Sequence, residues 1–242
     1  MKVGVYVDAY NLYYAGRGQC GRGVAGWRWL DIGALATAVI GREAAWTGAQ
    51  VVRVVYCTAR ISAKENPGGF ADQDVYLKAL LTAGSVDVIE YGEYVSRVKA
   101  APLARRDSKG RPQLVTPAWP IMVQQNQRPL DSAVFMASVA SREEKGSDVN
   151  VATRMLLDIL TGAVDAVVVI SNDSDLRLPV AEVRKLVHVG TVNPSLNYPA
   201  GALNGSPKSG AGGRWWAQLS AADFTGHQLP DPAGKYARPA GW

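Results

Sequence analysis

The stretch Ala166–Ile170, AVVVI, holds five apolar residues with no polar residue between them. Three are valines, whose β-branched side chains favour strand over helix. A strand lacking an alternating polar face must be covered on both sides, as in a parallel sheet packed between helices. Lys2–Val7 and Gln50–Cys57 (QVVRVVYC) read the same way, and Val86–Val98, Ala133–Val139 and His188–Val192 supply further strand candidates. Between them lie stretches of helical period. These are Trp29–Ala45 (Leu30, Ala34, Leu35, Ala38), Ala71–Ala83 (Val75, Leu77, Leu80, Leu81), Ser147–Leu160 (Val151, Met155, Leu156, Ile159, Leu160) and Pro179–Val187. The alternation predicts an α/β fold with a mostly parallel central sheet.

With 242 residues, 48% hydrophobic and 19% charged, the chain has ample material for one core. No apolar run approaches the roughly 20 residues of a membrane span. Asp8 interrupts the N-terminal run where an export signal needs continuity. Cys20 and Cys57 lack metal-ligand spacing and fit a reduced cytoplasm, so the expected localisation is cytoplasmic. The net charge of +5 is concentrated: Arg97–Arg128 holds seven basic residues against Asp107 alone, leaving −1 for the rest. Pro102, Pro112, Pro117, Pro120 and Pro129 bar a helix or central strand there. Residues of about 97–130 therefore read as a basic, Pro-rich insertion in a domain spanning 1–192. It is either an attracting surface for phosphates or a solvated loop. Trp119 within it reads first as a packing residue and second as a base-stacking one. A Gly/Pro-rich extension, 193–242, carries Trp215, Trp216 and Phe224 and is expected to wrap over the domain.

Parallel sheets bind ligands beyond the carboxyl ends of their strands. Asp8 stands at such an end, with Asn11 three residues on; Asp173 and Asp175 follow AVVVI in SNDSD. Asp148 opens a helix after Gly146 and Ser147. Singly, each acid reads as a helix cap. Together they would repel and shift one another's pKa values, unless a hard divalent cation such as Mg²⁺ or Mn²⁺ sat among them. Such an ion activates water for phosphodiester hydrolysis. His188 and His227 belong to no motif, which leaves a histidine mechanism poorly supplied. Arg177 follows the acidic loop and is placed to pair with it. Tyr10, Tyr13, Tyr14, Trp27 and Trp29 read as packing residues, and Arg60 faces either the site or solvent. The glycines at 16, 18, 21 and 23, with Arg17 and Arg22, read as a mobile loop beside the site.

VYVDAYNLYY, EEKGSDVNVATRMLLD and VVVISNDSDL, in this order, resemble the NYN domain family, a branch of the PIN-like nuclease superfamily. They correspond to its first strand followed by D-x-x-N, its K-G-x-D-V helix start, and its strand followed by S-G-D-S-D-F. Ala9, Asn172 and Leu176 depart from the pattern, and none removes an acid. The resemblance spans Lys2–Val192 and implies a three-layer PIN-like (Rossmann-like) fold. It also implies a divalent-metal-dependent ribonuclease, an endonucleolytic hydrolase with Mg²⁺ or Mn²⁺ as cofactor. It gives metal-binding and catalytic roles to Asp8, Asp148, Asp173 and Asp175. Asn11 orients Asp8 or a metal-bound water, Ser171 supports the acidic loop, and Lys145 contacts phosphate. RNA, single-stranded or structured, is the expected partner, and no membrane is; the oligomeric state stays open, a homodimer included. The alternatives are a non-catalytic RNA-binding or regulatory module, and a metal-dependent phosphatase or nucleotidyl transferase.

Overall fold

Lys2–Asp8 forms the first strand, β1, and all of it from Val3 onward is buried, as its apolar run requires. In a computed structural model, which describes residues 1–109, 111–115, 124–130, 136–203 and 210–242, it leads directly into helix α1, Ala9–Cys20. Helix α2 (Ile32–Ile40), strand β2 (Gln50–Ala59), helix α3 (Pro67–Thr82) and strand β3 (Val88–Pro102) follow. Next come four short strands, β4 (Ala104–Arg106), β5 (Pro112–Leu114), β6 (Gln124–Gln125) and β7 (Arg128–Pro129), and then β8 (Met136–Lys145). The second half runs α4 (Ser147–Leu160), β9 (Ala166–Ile170), α5 (Arg177–Leu186) and β10 (His188–Asn193). It closes with β11 (Trp215–Gln218) and α6 (Ala221–Gly226).

Among the described residues one large sheet has the order β11-β10-β9-β1-β2-β3-β8. The pairs β1–β2, β1–β9, β9–β10, β10–β11 and β2–β3 are all parallel. The chain steps outward from β1 through β2 and β3 on one side, and returns through β9, β10 and β11 on the other. Strand alternation then sorts the core into two layers. Val3, Val5, Val7, Val168 and Ile170 pack with Leu12, Leu35 and Leu80, whereas Tyr6, Val167 and Val169 pack with Val151, Met155, Val180 and Val183. Helices α1, α2 and α3 thus cover one face and α4 and α5 the other, a three-layer α/β arrangement.

The elements differ from the sequence reading mainly where tertiary packing overrides local propensity. The glycine-rich stretch after Tyr14 is helix through Cys20, not a loop: a Cβ at Gly16 would stand 2.8 Å from the Phe224 ring. Gly16 is there to let α6 and Trp27 come close. The C-terminal segment adds a strand to the sheet and a helix that packs on α1. Trp27, Trp29 and Trp215 are buried, and Trp216 is half exposed.

Residues 95–143 form a compact unit of their own, apart from 1–94 with 144–242. It holds eight basic residues against three acids. Within it β4 pairs with β5 and β6 with β7, both antiparallel. Asn126 and Gln127, at φ 51° and 61°, make the two-residue turn between β6 and β7. Strands β4 to β7 stay in two-stranded ladders and no helix forms there among the described residues, in keeping with the prolines: Pro102, Pro112 and Pro129 sit at strand ends, where a missing N–H costs least. Trp119 and residues 133–135 of the Ala133–Val139 candidate lie outside the described residues.

One polar cluster is enclosed in the α4 layer. The Tyr6 hydroxyl donates to Asp158 Oδ2 at 2.9 Å, and Arg53 Nε donates to the same oxygen at 2.6 Å. Tyr6 is fully buried and Asp158 nearly so. Asp158→Ala leaves a guanidinium and a phenol without their acceptor and should cost about 3 kcal/mol. Tyr6→Phe, which keeps the ion pair, should cost about 1 kcal/mol. Urea unfolding followed by tryptophan fluorescence measures both, and equal losses would contradict this ordering.

Candidate functional site

The parallel register decides which side chains meet. Val7 of β1 sits opposite Ile170 of β9, so both strands end together and Asp8 faces Ser171. Ser171 is buried and donates from Oγ to Asp8 Oδ2 at 2.9 Å. The same Oγ accepts the Asp173 N–H at 3.0 Å, so one hydroxyl spaces two acids. Asp8 also caps α1, its Oδ1 accepting the Asn11 N–H at 3.0 Å. The side chain of Asn11 reaches across to the second strand tip. Its Oδ1 accepts the Asn172 N–H at 3.0 Å and ties the two strand tips together.

Asp148 arrives from the other layer. Gly146, at φ 94°, turns the chain from β8 into α4. That corner presses on β3, where a Cβ at Gly92 would lie 2.5 Å from the Lys145 carbonyl and 2.6 Å from Glu144 Oε1. Glycine at 92 lets the start of α4 close over the strand ends. Asp8, Asp148 and Asp173 each then place one carboxylate oxygen within 4.8 Å of the others, a spacing that could hold one cation.

These carboxylates shift one another. Burial raises the Asp8 pKa above the usual carboxylate range, the Asn11 and Ser171 hydrogen bonds pull it back, and Asp173 and Glu144 raise it further. Asp148 is pushed up to about 6, first by burial and then by Asp8, Asp173, Glu144 and Asp175. Cys57, beside Asp8 in register, is pushed up to about 12 by burial and the nearby acids, so its thiol is no nucleophile at neutral pH.

Three of the four expected acids therefore converge. Asp175 stands outside that trio: it is exposed, its N–H bonds to Asp173 Oδ1, and it reaches Asp148 only through its field. Arg177 is exposed and forms no ion pair with the acidic loop among the described residues. Lys145 is exposed at the end of β8. Arg60 pairs with Asp74 at 2.8 Å and lies 5.1 Å over the Tyr91 ring. Sequence reasoning missed Glu144, whose Oε1 accepts the Ser147 hydroxyl at 2.7 Å while its charge acts on Asp8 and Asp148. Inside a run of charges, REEK, only the corner at Gly146 singles it out.

No family model matches this chain. It is 28% identical over 213 residues to the 6-hydroxy-3-succinoylpyridine 3-monooxygenase HspA of Pseudomonas putida, a match that covers 81% of this chain. The chain spans 60% of that relative's length. A solved structure of a protein of unknown function from Vibrio parahaemolyticus aligns over 92% of this chain and 94% of its own, with a TM-score of 0.43 and 14% identity. The P. putida relative overturns the expected ribonuclease, and with it the phosphodiester hydrolase class, because a monooxygenase is an oxidoreductase. It also overturns Mg²⁺ or Mn²⁺ as the expected cofactor. Oxygen insertion needs a source of electrons, which an ion held to activate water does not supply.

The raised pKa of Asp148 has a thermodynamic sign. Between about pH 4 and 6 the folded chain binds more protons there than the unfolded chain, so this group's contribution falls as pH rises. Half-exposure and screening reduce the loss to about 1–2 kcal/mol. Asp148→Asn should flatten the stability profile over that window and raise the midpoint of thermal unfolding at pH 8. A variant that tracks the parent at every pH would show that the acids do not repel.

Proposed function

We propose that the chain is an oxygen-inserting oxidoreductase, a monooxygenase acting on a hydroxylated heteroaromatic ring, with the acidic pocket as its catalytic base. The observation that carries this is the convergence of Asp8, Asp148 and Asp173 at the carboxyl ends of the strands. The 28% likeness to the 6-hydroxy-3-succinoylpyridine 3-monooxygenase supports the reaction class. In that ring the hydroxyl lies para to the carbon receiving oxygen. Drawing the hydroxyl proton onto a carboxylate raises electron density at the para carbon, the position that must attack electrophilic oxygen. A carboxylate with a pKa near 6 is suited to take a proton at neutral pH.

The carbon receiving oxygen also carries the succinoyl group, so the new C–O bond is made as the C–acyl bond breaks. Dioxygen and two electrons place one oxygen on the ring and one in water, and the displaced acyl group leaves on water as its carboxylic acid. The described residues fit neither of two familiar redox groups. A dinucleotide flavin needs a glycine-rich first βα turn and a helix N-terminus open to pyrophosphate. Here that turn is Asp8-Ala9-Tyr10-Asn11, and the helix end is closed by the Asp8 carboxylate. A histidine–carboxylate iron site needs imidazole ligands. His188 and His227 each engage a backbone carbonyl with Nδ1, of Gly212 and Asp223, and neither belongs to the acid group. No step is assigned to either group, and the electrons are taken to come from a diffusible reductant.

Purified chain should convert 6-hydroxy-3-succinoylpyridine, given reduced flavin and isotopically heavy dioxygen, to a product carrying one heavy oxygen. Asp148→Asn should lower kcat/KM by about 10²–10⁴-fold, the range of a lost general base. Mass spectrometry of the product reads both. An unlabelled product, or an undiminished rate in the variant, would refute the reading.

For the fold, we propose PIN-like kinship, supported by the order and convergence of the three acid motifs. For a partner of the 95–143 unit, we propose RNA. What favours it is the excess of eight basic residues over three acids. Binding of a single-stranded RNA should weaken steeply with salt, and replacing Arg105 and Arg106 by Ala should weaken it further. Affinity indifferent to salt, in a fluorescence-anisotropy titration, would argue against RNA.

A further inference from the structure

Three tyrosines read from sequence as packing residues are not buried. Tyr10, Tyr13 and Tyr14 of α1 are 43%, 44% and 46% exposed. Their rings nevertheless hold one another in fixed relations. Tyr10 and Tyr14 lie 4.5 Å apart between centroids, and Tyr13 meets Tyr14 edge-on at 5.4 Å. Trp27, itself buried, backs Tyr13 at 5.5 Å. The Arg17 guanidinium continues the row, 5.6 Å over the Tyr14 ring. Arg17 forms no ion pair among the described residues. Positions 10, 14 and 17 share one helix face. The row starts at the acids: Tyr10 is two residues past Asp8, and Glu144 and Tyr94 act on it electrostatically.

We infer that this face of α1, Tyr10–Tyr14–Arg17, seats a planar hydroxylated heteroaromatic that carries a short acid tail. The inference rests on the reaction class proposed above and names how the substrate is held. Stacking on tyrosine faces suits any flat ring, so it supplies affinity without orientation. Orientation comes from the two charged ends of the row. The carboxylates at Asp8 and Asp148 accept a ring hydroxyl and repel an acid, whereas the guanidinium of Arg17, with no carboxylate partner among the described residues, attracts the acid. The hydroxyl therefore points to the base and the tail points away from it. The lengths agree as well: seven residues of helix advance about 10 Å, comparable to a para-substituted ring with a four-carbon acid chain.

The test is calorimetric titration of the whole chain under nitrogen with no reductant, so that nothing turns over. The probes are 6-hydroxy-3-succinoylpyridine, 3-acetyl-6-hydroxypyridine (the same ring without the tail acid) and an oligouridylate. Tyr14→Ala should weaken both pyridines about tenfold, and Tyr14→Phe, which keeps the ring, should not. Arg17→Ala should weaken the acid about tenfold and leave the acetyl compound unchanged. The inference is overturned if the parent binds neither pyridine, if Tyr14→Ala or Arg17→Ala binds the acid as the parent does, or if only oligouridylate binding depends on Tyr14. The two readings fail separately. Tyr14-dependent binding with no oxygenated product in air sinks the oxygenase alone, and oxygenated product with indifferent Tyr14 and Arg17 sinks the seat alone.

Discussion

Like charges brought together at the end of a sheet are the constraint that the rest of the structure serves. Carboxylates of Asp8, Asp148 and Asp173 within 4.8 Å of one another oppose folding unless something else imposes their positions. Here the backbone imposes them. The β1–β9 register lays two of the acids side by side, the Ser171 hydroxyl bonds to both residues, and the Asn11–Asn172 bond locks the strand tips. Gly92 admits the third acid from the opposite helical layer. A site assembled from three separated segments is thus held by hydrogen bonds that none of the acids could supply alone.

Much of this was legible in the residues. AVVVI announced a strand buried on both faces, and Ala166–Ile170 is one. Ser147–Leu160 was readable as a helix because its apolar residues keep one period and Gly146 marks its start. What escaped was set by distant contacts. The helix through Gly16 runs against local propensity, and it is the close approach of Phe224, two hundred residues away, together with Trp27 that requires glycine there. The strand Trp215–Gln218 sits in a segment whose glycines and prolines spoke for wrapping rather than for joining the sheet. Glu144 and the exposed tyrosines escaped for a similar reason. A side chain's exposure at the rim of a site depends on which neighbours arrive there, and periodicity does not report that.

The acids were also more informative about place than about chemistry. A carboxylate cluster at the carboxyl end of a parallel sheet marks where a ligand goes. Whether the same oxygens hold an ion or take a proton depends on the partner they meet. The sequence motifs pointed to hydrolysis, and the P. putida relative points to oxygen insertion. Both readings use the same pocket, and what separates them is the chemistry of the molecule lying against it.

The position of β1 has a consequence for how the chain is made. This strand is made before the others of its sheet, yet it lies at the middle of the sheet order, between β2 and β9. One of its edges must wait until Ile170 has left the ribosome before its ladder can close. Through that interval an apolar edge stays open to foreign strands. Pairing in the central layer is therefore non-local in sequence, and one edge of β1 stays unpaired while residues 60–165 are being added.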